Sequence, residues 1–276
     1  MNDNVKASLD KIKKGVEQLK NSEEYKLFML TMSKFHNYSL NNMILINIQK
    51  PEATLVAGYN DWLYKFKRYV RKGEKGIKII APCPYKIKIK DENDNEKEEK
   101  KLSFKVTTVF DISQTEGEDL PKIGVEELMG TVEKYQELKR HLEIISRIPI
   151  EYKEIKTGAK GYYNTEEDKI YIKEGMSEIQ TIKTLLHEMT HSYLHNKIKL
   201  KERKQELTRS NMEVEAESVA FIVCDNLKID TSDYSFAYLT SWLDETNGEN
   251  FWETLTEIQK LSHYFINEIE NLKKGF

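Results

Sequence analysis

The chain has little cysteine and little proline, with two and five respectively in 276 residues. Cys83 and Cys224 are too few for a disulfide framework and read as reduced packing residues, as expected in a cytoplasmic protein. Five prolines and twelve glycines exclude collagen-like and low-complexity chains, and 39% apolar residues exclude broad disorder, because such chains lack the surface whose burial offsets chain entropy. No apolar run approaches the roughly 18 residues that a membrane span requires. The first twenty residues carry charges every few positions around no apolar segment, so no secretory signal is read there. These absences leave a soluble, cytoplasmic chain with material for one or two domains and no membrane partner.

The net charge of -3 is a cancellation. Residues 1–115 hold 22 Lys and Arg against 15 Asp and Glu, whereas residues 116–276 hold 21 against 31, so a half of net +7 precedes a half of net -10. The basic half suits a polyanionic partner, unless its charge merely solvates a surface. Periodicity divides the chain similarly. Val5, Leu9, Ile12, Val16 and Leu19 recur at helical spacing, and Tyr85–Lys90 and Leu102–Val106 alternate at period two around a highly charged connection, which predicts a long hairpin. Ser113–Gly124 mixes turn formers, acids and a proline without periodicity. The expected organisation is therefore α+β in two domains: residues 1–112 with helices and a β-hairpin or sheet, a linker over 113–124, and residues 125–276, mainly helical with a small antiparallel sheet. Helices are expected over about 124–145, 177–195, 211–227 and 250–272, and two short strands around Asn164–Asp168.

The sharpest motif is His187-Glu188-Met189-Thr190-His191. On a helix, residues four apart share a face, so both imidazoles reach one ion while Glu188 stands beside its water. Ile182, Leu185, Leu186, Met189 and Tyr193 fall nearly opposite, so the helix buries one side and turns the histidines to a cleft. A catalytic zinc site needs a further protein ligand and an open position. The apolar helix around Glu213-Val-Glu215-Ala-Glu217 offers one, with Glu213 and Glu217 on one face and Glu215 roughly 160° away. The assignment is Glu213 as third ligand and Glu217 as the acceptor that orients a histidine, unless one glutamate only caps or snorkels. Glu188 is the general base of a gluzincin-like peptide hydrolysis. Lys169–Lys173 is extended enough to add a peptide strand, His195 reads as supporting or surface, and Tyr162 and Tyr163 read as oxyanion donors or packing residues.

In the basic half, Trp62, Lys65, Lys67, Arg68, Tyr69, Arg71, Lys72, Lys75 and Lys78 interleave cations with aromatic rings. Cations that follow phosphates and rings that stack unpaired bases suit single-stranded nucleic acid, although Trp62 and Phe66 also fit a helical core pair.

Residues Phe35–Thr54, Gly58-Tyr-Asn-Asp-Trp62 and Val70–Pro82 resemble the N-terminal domain of ArdC-type antirestriction proteins. Phe110-Asp-Ile-Ser-Gln-Thr115 resembles that family's domain junction, and the His187–His191 helix with Glu213-x-x-Ala-Glu217 resembles its zincin-like domain. The resemblance implies a single-stranded DNA-binding domain, a metallopeptidase-like domain and carriage on mobile elements whose incoming DNA escapes host restriction. A regulatory protease that cleaves a repressor, and a non-catalytic DNA-binding module with structural zinc, are the alternatives.

Overall fold

The computed structural model describes residues 3–90, 96–120, 132–203, 206–230 and 248–274. In chain order the elements are α1 (Asp3–Gln18), α2 (Ser22–Lys34), α3 (Leu40–Gln49), β1 (Val56–Gly58), α4 (Tyr59–Tyr64), β2 (Arg68–Val70), β3 (Ile77–Lys90), β4 (Glu96–Asp111), a 3-10 turn (Ile112–Gln114) and β5 (Thr115–Gly117). There follow α5 (Val132–Ile145), β6 (Ile150–Lys153), β7 (Gly161–Asn164), β8 (Lys169–Lys173), α6 (Glu178–Leu194), α7 (Lys197–Glu202), α8 (Arg209–Asn226) and α9 (Gly248–Lys274). The mixed α+β, two-domain expectation holds. No described helix is long and apolar enough to cross a membrane.

Contacts divide the chain into two compact units, residues 1–19 with 41–120 and residues 20–40 with 121–276. In the first, the expected hairpin is the β3–β4 pair, in register from Ile77↔Val109 to Lys90↔Glu96, with β1 on the other edge of β4. Its period-two pattern separates buried Ile77, Ile79 and Val109 from exposed Lys78. The β3 edge is not left bare. Asn42 exchanges hydrogen bonds with the Ile80 backbone at 2.8 and 2.9 Å, and Gln49 does the same with Lys78 at 2.9 Å. The two amides are one turn-pair apart on α3, so a helix face completes a strand edge that would otherwise expose backbone groups. Helix α1 approaches α3 at Gly15, where a Cβ would come within 2.2 Å of Ile48 Cδ1.

Asp111 closes this unit. Its buried carboxylate accepts the Thr54 N–H at 2.8 Å, the Leu55 N–H at 3.1 Å and the Ser113 N–H at 2.9 Å. Burial opposes its charge, but these donors outweigh burial and hold the carboxyl below the usual aspartate value. The chain from Ser113 is therefore folded rather than linker, with β5 paired to β2. The rest of the expected linker, from residue 121, lies outside the described residues.

In the second unit, β6 runs parallel to β8 and β7 antiparallel to it, so the sheet is mixed rather than wholly antiparallel. Helix α8 is buried nearly all round, as its composition predicts. Helix α2 packs into this unit: Tyr25, Phe28, Met29 and Met32 are buried, and the Tyr25 hydroxyl lies 2.8 Å from Ser218 Oγ on α8. Periodicity reveals that a helix has an apolar face, not which domain covers it.

Candidate functional site

The site is built on α6 and α8. Ser177 starts α6 by accepting the Gln180 N–H, and Ile182, Leu185, Leu186, Met189 and Tyr193 are buried beneath it. The Tyr193 hydroxyl donates to the Ile145 carbonyl at 2.6 Å, which fixes the helix against the end of α5. His187 and His191 consequently face a cavity of about 460 Å³ that Glu213 and Arg209 of α8 and residues of β7 also line.

The three expected ligands come together. His187 Nε2 and His191 Nε2 are 3.1 Å apart, and Glu213 Oε2 lies 3.3 Å from the first and 3.8 Å from the second. The point equidistant from the corners of that triangle is about 2.0 Å from each, close to the bond lengths of imidazole and carboxylate on zinc. Two borderline nitrogen donors and one oxygen donor also suit zinc or manganese chemically. Burial disfavours a charged His187, yet Glu213 and the nearby Glu188 and Glu217 raise its pKa overall, and the same contact with His187 leads the lowering of Glu213. His191 is held far below the usual imidazole value by burial and by the charges of His187 and His195.

Glu188 is buried and sits beside this triangle. Burial pushes its carboxyl up to about 7; His187 opposes the rise, Glu213 adds to it, and the Tyr163 backbone N–H donates to the carboxylate. Gly161 makes the approach of α6 to β7 close: a Cβ there would lie 2.8 Å from Thr184 Cγ2 and 3.1 Å from Glu188 Cγ. The expected peptide-accepting segment, Lys169–Lys173, is β8 at the centre of the sheet with a partner on each side. It has no free edge. Among the described residues the edges belong to β6 and β7, of which β7 lines the cavity.

Glu217 is the residue expected to orient a histidine. Its Oε2 is buried without a hydrogen-bond partner, and burial raises its pKa. The bond expected of it runs through Glu215, whose Oε2 lies 2.9 Å from His195 Nε2 and 2.5 Å from Arg203 Nη2.

The basic region separates into structural and accessible groups. Trp62 is fully buried and its indole N–H donates to the Phe110 carbonyl at 2.8 Å, so it presents no face to a base. Arg68 donates to Thr115 and to the Gly117 and Glu118 carbonyls, holding β2 to β5, and Arg71 is tied to Glu74 and the Ser113 carbonyl. Lys65 and Lys67 are solvent-exposed beside Asp61 and Glu118, Lys72 and Lys75 are exposed, and Lys78 donates to Thr108. Exposed rings beside these cations include Tyr59, Tyr64 and Tyr69, with Tyr64 at 77% exposure.

Residues 2–110 match the model of the N-terminal domain of anti-restriction factor ArdC, and residues 143–250 match that of a zincin-like metallopeptidase. The chain joins an ArdC N-terminal domain to a zincin-like metallopeptidase domain. An uncharacterized Bacillus anthracis protein, pXO2-81, is 29% identical over 311 aligned positions that take in 96% of this chain; the chain spans about half, 51%, of that relative's length. Two crystal structures of the antirestriction protein ArdC from plasmid R388 share the fold. The metal-free one aligns with a TM-score of 0.54 at 23% identity over 85% of this chain and 86% of that one. The Mn(II)-bound one aligns with a TM-score of 0.58 at 20% identity over 94% and 98%.

Within this zincin-like domain, sequence reasoning passed over Arg203, Arg209 and Gly161. Arg209 is exposed, one turn before Glu213, with its Nε 3.7 Å from Glu213 Oε1. Its i,i+4 spacing from Glu213 was the available signal. Glu215 was visible as the residue facing away from Glu213, but its partner Arg203 lies on the connection before α8, outside any helical pattern.

Proposed function

We propose that this chain binds single-stranded DNA through its ArdC N-terminal domain and hydrolyses a peptide bond at a zinc ion in its zincin-like domain, in the service of antirestriction. The convergence of His187 Nε2, His191 Nε2 and Glu213 Oε2 beside a buried Glu188 carries this reading. Those three residues hold the ion, which when bound supplies Lewis acidity and an acidified water. Glu188, with a carboxyl near 7, accepts the water proton and returns it to the leaving amine. The Tyr163 N–H holds its carboxylate in place, and the edge strand β7 offers backbone groups to an extended peptide.

The DNA-binding reading rests on the exposed Tyr59, Tyr64 and Tyr69 with Lys65, Lys67, Lys72 and Lys75; Trp62, Arg68 and Arg71 support that surface from within. Stacking on such rings is sequence-tolerant, and affinity carried by lysines falls steeply with salt. A DNA transfer assay into a restricting host tests the whole proposal, comparing wild type, Glu188→Gln and a Lys72→Ala, Lys75→Ala variant. Loss of protection in both variants is expected. Full protection by Glu188→Gln sinks the peptidase half, and full protection by the lysine variant sinks the DNA half.

A further inference from the structure

Below the metal triangle, on the side of His191 away from it, lies a chain of buried polar groups. His191 Nδ1 is 2.8 Å from His195 Nδ1, His195 Nε2 is 2.9 Å from Glu215 Oε2, and the same oxygen is 2.5 Å from Arg203 Nη2. The side chains of His195, Glu215 and Arg203 are 3%, 0% and 7% exposed, so water does not compete for these bonds. A carboxylate so deeply buried is tolerated only with a charged, hydrogen-bonded partner, which Arg203 supplies.

The donors in this chain point one way. The guanidinium is donor-only, and a carboxylate oxygen facing it is an acceptor. Glu215 therefore calls for a proton on His195 Nε2, and a neutral His195 then presents Nδ1 as a bare acceptor. Two ring nitrogens 2.8 Å apart need one proton between them, so His191 carries its proton on Nδ1. Its Nε2 is then bare and points at His187 Nε2 and Glu213 Oε2. We propose that Arg203, Glu215 and His195 are positioning residues: they lock His191 in the one tautomer that can ligate a metal, before any ion arrives. The proposal rests on His191 being a metal ligand. It gives the third histidine of the α6 row and the odd glutamate of α8 a single shared purpose. Metal ligands whose other ring nitrogen is fixed by such partners lose affinity about 10- to 100-fold when the partners are removed.

The test uses full-length protein labelled with ¹⁵N-histidine. Long-range ¹H–¹⁵N spectra of chelator-treated wild type should show His191 as the Nδ1–H tautomer and His195 as the Nε2–H tautomer. His195→Phe keeps a ring of similar size but removes the acceptor; His191 should then become a tautomer mixture and zinc affinity, measured against a chromophoric chelator, should fall about 10- to 100-fold. An Arg203→Met, Glu215→Met pair replaces the buried ion pair by apolar side chains of similar length, with circular dichroism and melting confirming the fold, and should release the His195 tautomer. His191 protonated on Nε2 in the wild type, or unchanged tautomer and zinc affinity in a folded His195→Phe protein, overturns the proposal. If wild type binds no zinc, the ligand reading fails separately, while the tautomer spectra still decide the relay.

Discussion

Replacing Glu188 by Gln isolates what it costs this fold to carry a charge beneath the cavity. The residue is 7% exposed, and burial, only partly offset by His187 and reinforced by Glu213, moves its carboxyl from 4.5 to about 7. At about 1.4 kcal/mol for each pH unit, that gap is worth about 3 kcal/mol. The folded protein holds this proton more tightly than the unfolded chain. The associated stability is therefore complete below about pH 4.5 and is lost as pH rises through about 7. A glutamine has no proton to lose and keeps an oxygen for the Tyr163 N–H. In chelator-treated protein, Glu188→Gln should match wild type at acid pH and exceed it by about 3 kcal/mol near pH 9. Urea denaturation followed by circular dichroism at a series of pH values measures this difference directly. A gap that stays constant with pH, or a glutamine variant no more stable than wild type at alkaline pH, refutes the argument.

Four other substitutions test the frame around the two sites. Asp111→Ala removes an acceptor from three backbone N–H groups and should cost about 1–3 kcal/mol in denaturant unfolding; because its folded pKa is lowered, that stabilisation is present above the ordinary aspartate value and disappears as pH falls through the folded one. Trp62→Ala empties a fully buried site and should destabilise the N-terminal unit by about 3–5 kcal/mol, whereas Tyr64→Ala should leave melting unchanged and weaken single-stranded DNA binding by about 1–3 kcal/mol in fluorescence anisotropy. Gly161→Ala places a methyl 3.1 Å from Glu188 Cγ and should cut hydrolysis of a quenched-fluorescent peptide library at least tenfold with zinc content retained.

Much of this was legible in the sequence because it was periodic. The alternation of β3 and β4, the apolar back of α6 and the all-round apolar character of α8 all follow from spacing alone, and so does the placing of His187 and His191 on one helix face, whereas the choice of Glu213 over Glu217 leaned on the family resemblance. What spacing could not supply was the identity of the surface each element meets. Helix α2 shows the same amphipathic signal whichever unit buries it. Trp62 sits among cations in sequence, yet its ring is inside and its N–H on a strand carbonyl, while Tyr64 two residues later is outside. Arg68 and Arg71 are basic by composition and structural by geometry, because their guanidinium donors are consumed by backbone carbonyls and Glu74.

The three glutamates of α8 carry that distinction into the chemistry. Side chains two residues apart on a helix diverge, so Glu213 meets imidazoles, Glu215 meets Arg203 and His195, and Glu217 leaves an oxygen buried without a partner. Glu188 and Glu217 are both pushed upward by burial, and Glu213 adds its charge to each. A divalent cation at the triangle would add an attraction that favours ionised Glu188, strengthened by the low dielectric around it and set against the burial that still opposes the charge. The pH-dependent gap between wild type and Glu188→Gln should therefore flatten in zinc-saturated protein. If the gap persists unchanged with stoichiometric zinc bound, the ion does not sit beside Glu188, and the assignment of that residue as the base falls with it.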